Sequence, residues 1–89
     1  MPTLSMFYGI TSYMYFYDNR KHKMPHLHAS FGDDDAIFSL EDGEIIEGKL
    51  PKNKRKLVEA WIEIHRDDLM TDWQLAVTGQ NPLPIKPLE

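Results

Sequence analysis

The feature that most constrains this chain is a change of hydrophobic period near residue 51. Before it, apolar residues alternate with a period of two; after it, they recur at intervals of three and four. The first pattern lines opposite faces of strands and the second lines one face of a helix. Ile10, Met14 and Phe16 alternate with Tyr13, Tyr15 and Tyr17, and bulk on both sides predicts a strand that is central or covered on both faces. Leu27, Ala29 and Phe31 oppose His26, His28 and Ser30 in the next strand, and Ala36, Phe38 and Leu40 mark another. The Asp42-Gly43 pair predicts a two-residue hairpin turn, whose central residues both need positive φ. Glu44 to Leu50 then returns as a strand with Ile46 and Leu50 on one side. Beyond it, Leu57, Val58, Trp61, Ile62, His65, Leu69, Trp73, Ala76 and Val77 form a helical stripe. Pro51 suits a first helical turn, Asp67-Asp68 suits a bend or restart, and Gly79 suits the residue just past a helix end.

These periods predict an α+β fold: a small antiparallel sheet of about four strands over residues 4–50, then one or two helices over about 52–78 packed on one sheet face. Pro82, Pro84 and Pro87 make residues 79–89 an extended tail, with Ile85 and Leu88 available to dock. At 89 residues the chain is one domain, able to bury roughly 60–65 % of the surface its unfolded form exposes. There is no room for separate cofactor and substrate domains.

Cysteine is absent, which excludes disulfide frameworks, cysteine zinc fingers and thiol catalysis and favours a reducing compartment. No apolar run approaches the ~20 residues of a membrane span, and the N-terminus lacks the basic stretch of a signal peptide. The expectation is a soluble, cytoplasmic protein without membrane association. The net charge of −4 argues against a general nucleic-acid coat protein.

Three of the four histidines fall within seven residues, His22-Lys-Met-Pro-His26-Leu-His28. Residues i and i+2 of a strand share a face, so His26 and His28 point together. Neutral imidazole is the commonest metal ligand, and three histidines with an open position suit a catalytic divalent transition metal such as zinc or nickel. His22, His26, His28 and Asp33 are the candidate ligand set, with Asp18 an alternative carboxylate. Without a metal, His26 and His28 are candidate catalytic acid–base groups. The plainer alternative is that both line the exposed face of a strand. His65, within the helical stripe, reads as a hydrogen-bonded core histidine.

Two stretches hold eight of the ten basic residues: Arg20, Lys21 and Lys23, then Lys49, Lys52, Lys54, Arg55 and Lys56. Cations at a helix start oppose the macrodipole, at about 0.3–1 kcal/mol each at low salt. The same arrangement attracts anions, making Lys52, Lys54, Arg55 and Lys56 a candidate anion- or nucleic-acid-binding group. Simple solvation is the alternative. Tyr8, Tyr13, Tyr15 and Tyr17 can stack bases, but a tyrosine stripe covered by a helix is the expected use. Asp33-Asp34-Asp35 lacks calcium-loop spacing and reads as a turn.

The segments MPTLSMFYGI, HKMPHLHASFGD, DGEIIEGKLP, LVEAWIEIHRDDLMTDW and PIKPL together resemble a small bacterial family, domain of unknown function 4160. The family pattern around the histidines is similar to H-x-P-P-H-F-H-A followed by an aromatic-Gly-acid turn. On that match His22, Pro25, His26, His28, Ala29, Gly32 and Asp33 carry over. Met24 stands in place of the first proline and Leu27 in place of phenylalanine. The resemblance implies a stand-alone short protein, often encoded beside a second small protein, in pairs that look like toxin–antitoxin or regulatory modules. Three function classes follow: an interaction module acting through its strand face or tail on that second protein or a second copy of itself; a metal- or histidine-dependent phosphodiesterase or RNase using the histidines, with Lys54 and Arg55 holding phosphate; and a DNA-binding transcriptional regulator using the basic helix start.

Overall fold

The computed structural model describes residues 3–17 and 23–88. Five strands form one antiparallel sheet in chain order: β1 (Thr3–Phe7), β2 (Ile10–Tyr13), β3 (His26–Phe31), β4 (Asp34–Ser39) and β5 (Ile45–Gly48). Helices α1 (Lys52–Ile64) and α2 (Arg66–Val77) follow. The α+β arrangement of sheet and C-terminal helices is therefore as the change of period predicts, with one more strand than expected.

The extra strand is β1. Phe7 pairs with Ile10 across Tyr8 and Gly9, which both take positive φ, 50° and 79°. Two left-handed residues make the tight turn that matches strand twist. Tyrosine is an uncommon first residue for it, which hides the hairpin from a search for Asn-Gly or Asp-Gly. The second tight turn is Gly32-Asp33, joining Phe31 to its partner Asp34.

The turn expected at Asp42-Gly43 is longer than two residues. Ser39 N–H donates to Glu44 O, Gly43 N–H donates to Ser39 O, and of this pair only Gly43 has positive φ. A two-residue turn would set Glu41 opposite Glu44, an unfavourable like-charge pair. The longer loop instead buries Leu40 fully and lets Arg66 Nε donate to its carbonyl. A register irregularity between Ile37 and Phe38 then brings Ile45, rather than Ile46, opposite Phe38 and against the core.

One sheet face builds the core. Leu4, Phe7, Ile10, Leu27, Ala29, Ala36 and Phe38 pack with Val58, Trp61 and Ile62 of α1 and Leu69, Trp73 and Ala76 of α2. The Phe7 and Trp61 rings lie 5.2 Å apart. The helices separate at His65, with Asp67 and Asp68 in the first turn of α2, where negative charge complements the dipole. At the other end of α2, Gly79 N–H donates to Ala76 O and Gln80 N–H to Leu75 O, a Schellman closure that needs the positive φ of Gly79.

Residues 80–88 then run back as a strap without helix or strand. Leu83 N–H donates to Asp72 Oδ1, Ile85 N–H to Leu4 O, and Trp61 Nε1–H to Lys86 O. The tail is thus committed to its own domain, and Ile85 docks in the core. Among the described residues, no helix is long and apolar enough to cross a membrane.

Candidate functional site

The face of the sheet turned away from the core carries the chemistry. The hairpin pairs His28 with Ile37 and Ser30 with Asp35; across β2, Tyr13 pairs with His28, and across β5, Glu47 pairs with Ile37. A row Tyr13–His28–Ile37–Glu47 therefore crosses four strands, with Asp35 one diagonal step away. The tyrosines do not form one covered stripe as expected: Tyr13 is buried, while Tyr8, Tyr15 and Tyr17 are exposed. Strand β2 ends at Tyr13, Met14 turns into the core, and Tyr17 N–H donates to Ala76 O at the end of α2. Tyr15, Phe16 and Tyr17 remain exposed.

The rings are ordered against each other. Tyr13 stacks on His28 at 5.3 Å with only 13° between planes. Tyr15 stands edge-on to His28 at 4.7 Å and to Tyr13 at 5.5 Å. Together with Asp35, Ala36, Ile37, Glu47 and Gly48 they line a depression of about 250 Å³.

His26 has a different setting. It is buried, its ring 4.7 Å from that of Trp73 and 5.4 Å from that of His28. Its Nδ1 lies 2.9 Å from Met24 O and donates to that carbonyl, which fixes the tautomer. His26 thus acts as a bridge between strand and helix, while His28 belongs to the open face. His22 and the alternative ligand Asp18 lie outside the described residues, as do Arg20 and Lys21. Asp33 sits in the turn past Phe31, at the other end of β3 from His26, and those strand ends are about 16 Å apart. Among the described residues, no three or more His, Asp or Glu side chains gather to hold a metal ion.

The basic group is brought together at the start of α1, on the far side of the sheet from His28. Pro51 precedes it with no side-chain cap, and its first turn holds no acid. Lys54 is already engaged: Nζ donates to Tyr8 O at 3.1 Å and lies 4.8 Å from the Phe31 ring centre. It braces the two tight turns, at the end of β3 away from His26. Arg55 faces Glu59 at 3.8 Å. Lys52 and Lys56 are exposed. His65 is half-buried at the helix junction, its ring 5.7 Å from that of Trp61, rather than fully within the core.

Periodicity did not single out Asp35, Ile37 and Glu47 as site residues, nor did it find Asp72. The two-residue turn at Gly32-Asp33 was the available signal, because it fixes each pair along the β3–β4 hairpin. Asp72 is buried on α2, with Oδ1 accepting from Leu83 and Oδ2 unbonded. Burial raises its carboxyl above the ordinary range; the Leu83 N–H opposes the rise and the charge of Asp68 adds to it.

A protein-family model described as domain of unknown function (DUF4160) matches residues 9–74. The matched stretch contains every residue of the open-face depression and the basic helix start, and leaves β1 and the strap outside. No curated protein and no solved structure matches the chain. With most of its length matched, the chain belongs to this small bacterial DUF4160 family.

Proposed function

We propose that this protein is an interaction module, one component of a two-protein bacterial system of toxin–antitoxin or regulatory type, and that it holds its partner on the open sheet face. The supporting observation is the cluster of exposed Tyr15 with half-buried His28 and Ile37 around the buried Tyr13, on the sheet face opposite the core. Aromatic anchors in a shallow pocket with a polar rim are what binding hot spots are made of. The tail, the other expected docking element, is used internally. The test is co-expression with the second small protein encoded beside members of this family. Wild type should co-purify with it, and Ile37→Lys should release it while keeping the wild-type circular dichroism. Retention by the folded Ile37→Lys protein would overturn the reading.

A second reading is a metal- or histidine-dependent phosphodiesterase or RNase, supported by the adjacent His26 and His28 rings on β3. Elemental analysis for zinc or nickel and RNA cleavage by the His28→Ala protein test it. Full activity in that variant would reject a catalytic His28. This reading ranks second because Lys54 is engaged by Tyr8 and Phe31 on the other side of the sheet, away from His28.

A further inference from the structure

We propose that β5 is a dimerisation edge, where two copies of this chain pair their β5 strands antiparallel and join two five-stranded sheets into one. The inference stands on the edge of the sheet, apart from the docking reading of its open face. The two edges differ. The strap bonds β1 through Ile85 N–H and Leu4 O. Among the described residues, β5 has a neighbouring strand on one side only. Gly48 is exposed and has no side chain, so what it shows to solvent is backbone. Backbone shown along a strand edge is a template for another strand.

The ladder shows which groups point outward. Lys49 N–H donates to Asp35 O and Ser39 N–H donates to Glu44 O, so Glu44 and Lys49 turn their backbone bonds toward β4. In an antiparallel ladder, successive residues turn these bonds to opposite sides. The N–H and C=O of Ile45 and of Gly48 therefore point away from β4. Phe38 pairs with Ile45 and Ile37 with Glu47, so Ile46 is an extra residue and the two outward positions lie three apart instead of two. A bulge of this kind blocks pairing with a regular strand. A second copy carries the same bulge. A two-fold axis between Ile46 and Glu47 sets Ile45 of each copy opposite Gly48 of the other, and both outward positions are matched.

Charge supports the same register, which places Glu44 of each copy opposite Lys49 of the other. Both residues lie on the face away from the core, because they bond to Ser39 and Asp35, which share that face with Ile37. Opposed residues whose backbone bonds turn away from each other have the closest side chains, with β-carbons about 4.5–5.5 Å apart. Lys49 then stands between Asp35 on β4 and the second copy's Glu44, and the contact gains two cross-strand ion pairs. Glu47 faces Ile46 of the other copy instead of a second Glu47. The net charge of −4 on each copy opposes approach, but ~0.15 M salt screens it beyond roughly 8 Å. A strand of four residues buries less than a standard interface, so the dimer is a reversible one.

The test is sedimentation equilibrium of the full chain at ~0.15 M salt, with amide hydrogen exchange read over the same concentrations. Wild type should dimerise reversibly, and protection of the Ile45 and Gly48 amides should rise with concentration. Lys49→Glu alone and Glu44→Lys alone each set like charges opposite and should weaken the dimer by about tenfold. An equimolar mixture of the two variants brings back both ion pairs and should dimerise about as tightly as wild type. That rescue separates the interface from a folding defect, and circular dichroism checks each variant alone. A wild type still monomeric at ~1 mM would overturn the proposal. So would a dimer in which the Ile45 and Gly48 amides exchange freely, since its contact lies elsewhere, or a mixture as weak as its components. Protection of these amides by the second small protein, without self-association, would give the edge to that protein and also overturn the proposal.

Discussion

Asp72 carries a charge that the fold only half balances. One oxygen holds the strap through Leu83, and the other is buried without a partner among the described residues. Its raised pKa means that the folded chain binds a proton more readily there than the unfolded chain. Stability contributed at this site therefore falls as pH rises through the window above the ordinary value of 3.8. Asp72→Asn keeps an oxygen for Leu83 and removes the charge. Urea unfolding should show this variant gaining on wild type at neutral pH, with the gain shrinking toward pH 4. A gap independent of pH would show that the carboxylate is not penalised. Lys54 gives a second contrast. It bonds Tyr8 O and covers Phe31, so Lys54→Ala should cost about 1 kcal/mol. Lys52→Ala and Lys56→Ala, at exposed positions, should stay within about 0.5 kcal/mol.

At the scale of elements, the strap acts as a sixth edge. It caps β1 through Leu4, holds α1 through Trp61 and α2 through Asp72. Deleting residues 80–89 loses the strap's bonds to Leu4, Trp61 and Asp72, the Gln80 N–H bond that closes α2, and the burial of Ile85, on the order of 5 kcal/mol. The expected result is a large drop in thermal midpoint. An unchanged midpoint would mean the strap is a bystander. The sequence made the strands β3 and β4 and the helical stripe legible because their periods are clean. It concealed β1 behind a Tyr-Gly turn, and it extended β2 past Tyr13 because tyrosines continue the alternation where the backbone has already left the sheet. The same tyrosines read as a helix-covered stripe, since period two says which residues share a face and not which face is covered. His26 and His28 show the limit well: their spacing places both on one strand, while only packing against Trp73 separates the buried bridge from the half-buried ring.

For the whole molecule, a sheet with helices on one side leaves its other side to solvent or to a partner. Here that side is neither uniformly polar nor bare. It holds ordered aromatic rings beside two carboxylates, inside the segment that the family model matches. The basic start of α1 is the competing surface, since it is the part a DNA-binding regulator would use. The affinity of the partner complex, measured by titration calorimetry on two variants, tests the account most directly. Ile37→Lys, at the centre of the open face, should weaken binding by about tenfold or more. The Lys52→Ala, Lys56→Ala protein should bind within about twofold of wild type. The opposite ranking, with the open face silent and the basic start essential, would contradict the account.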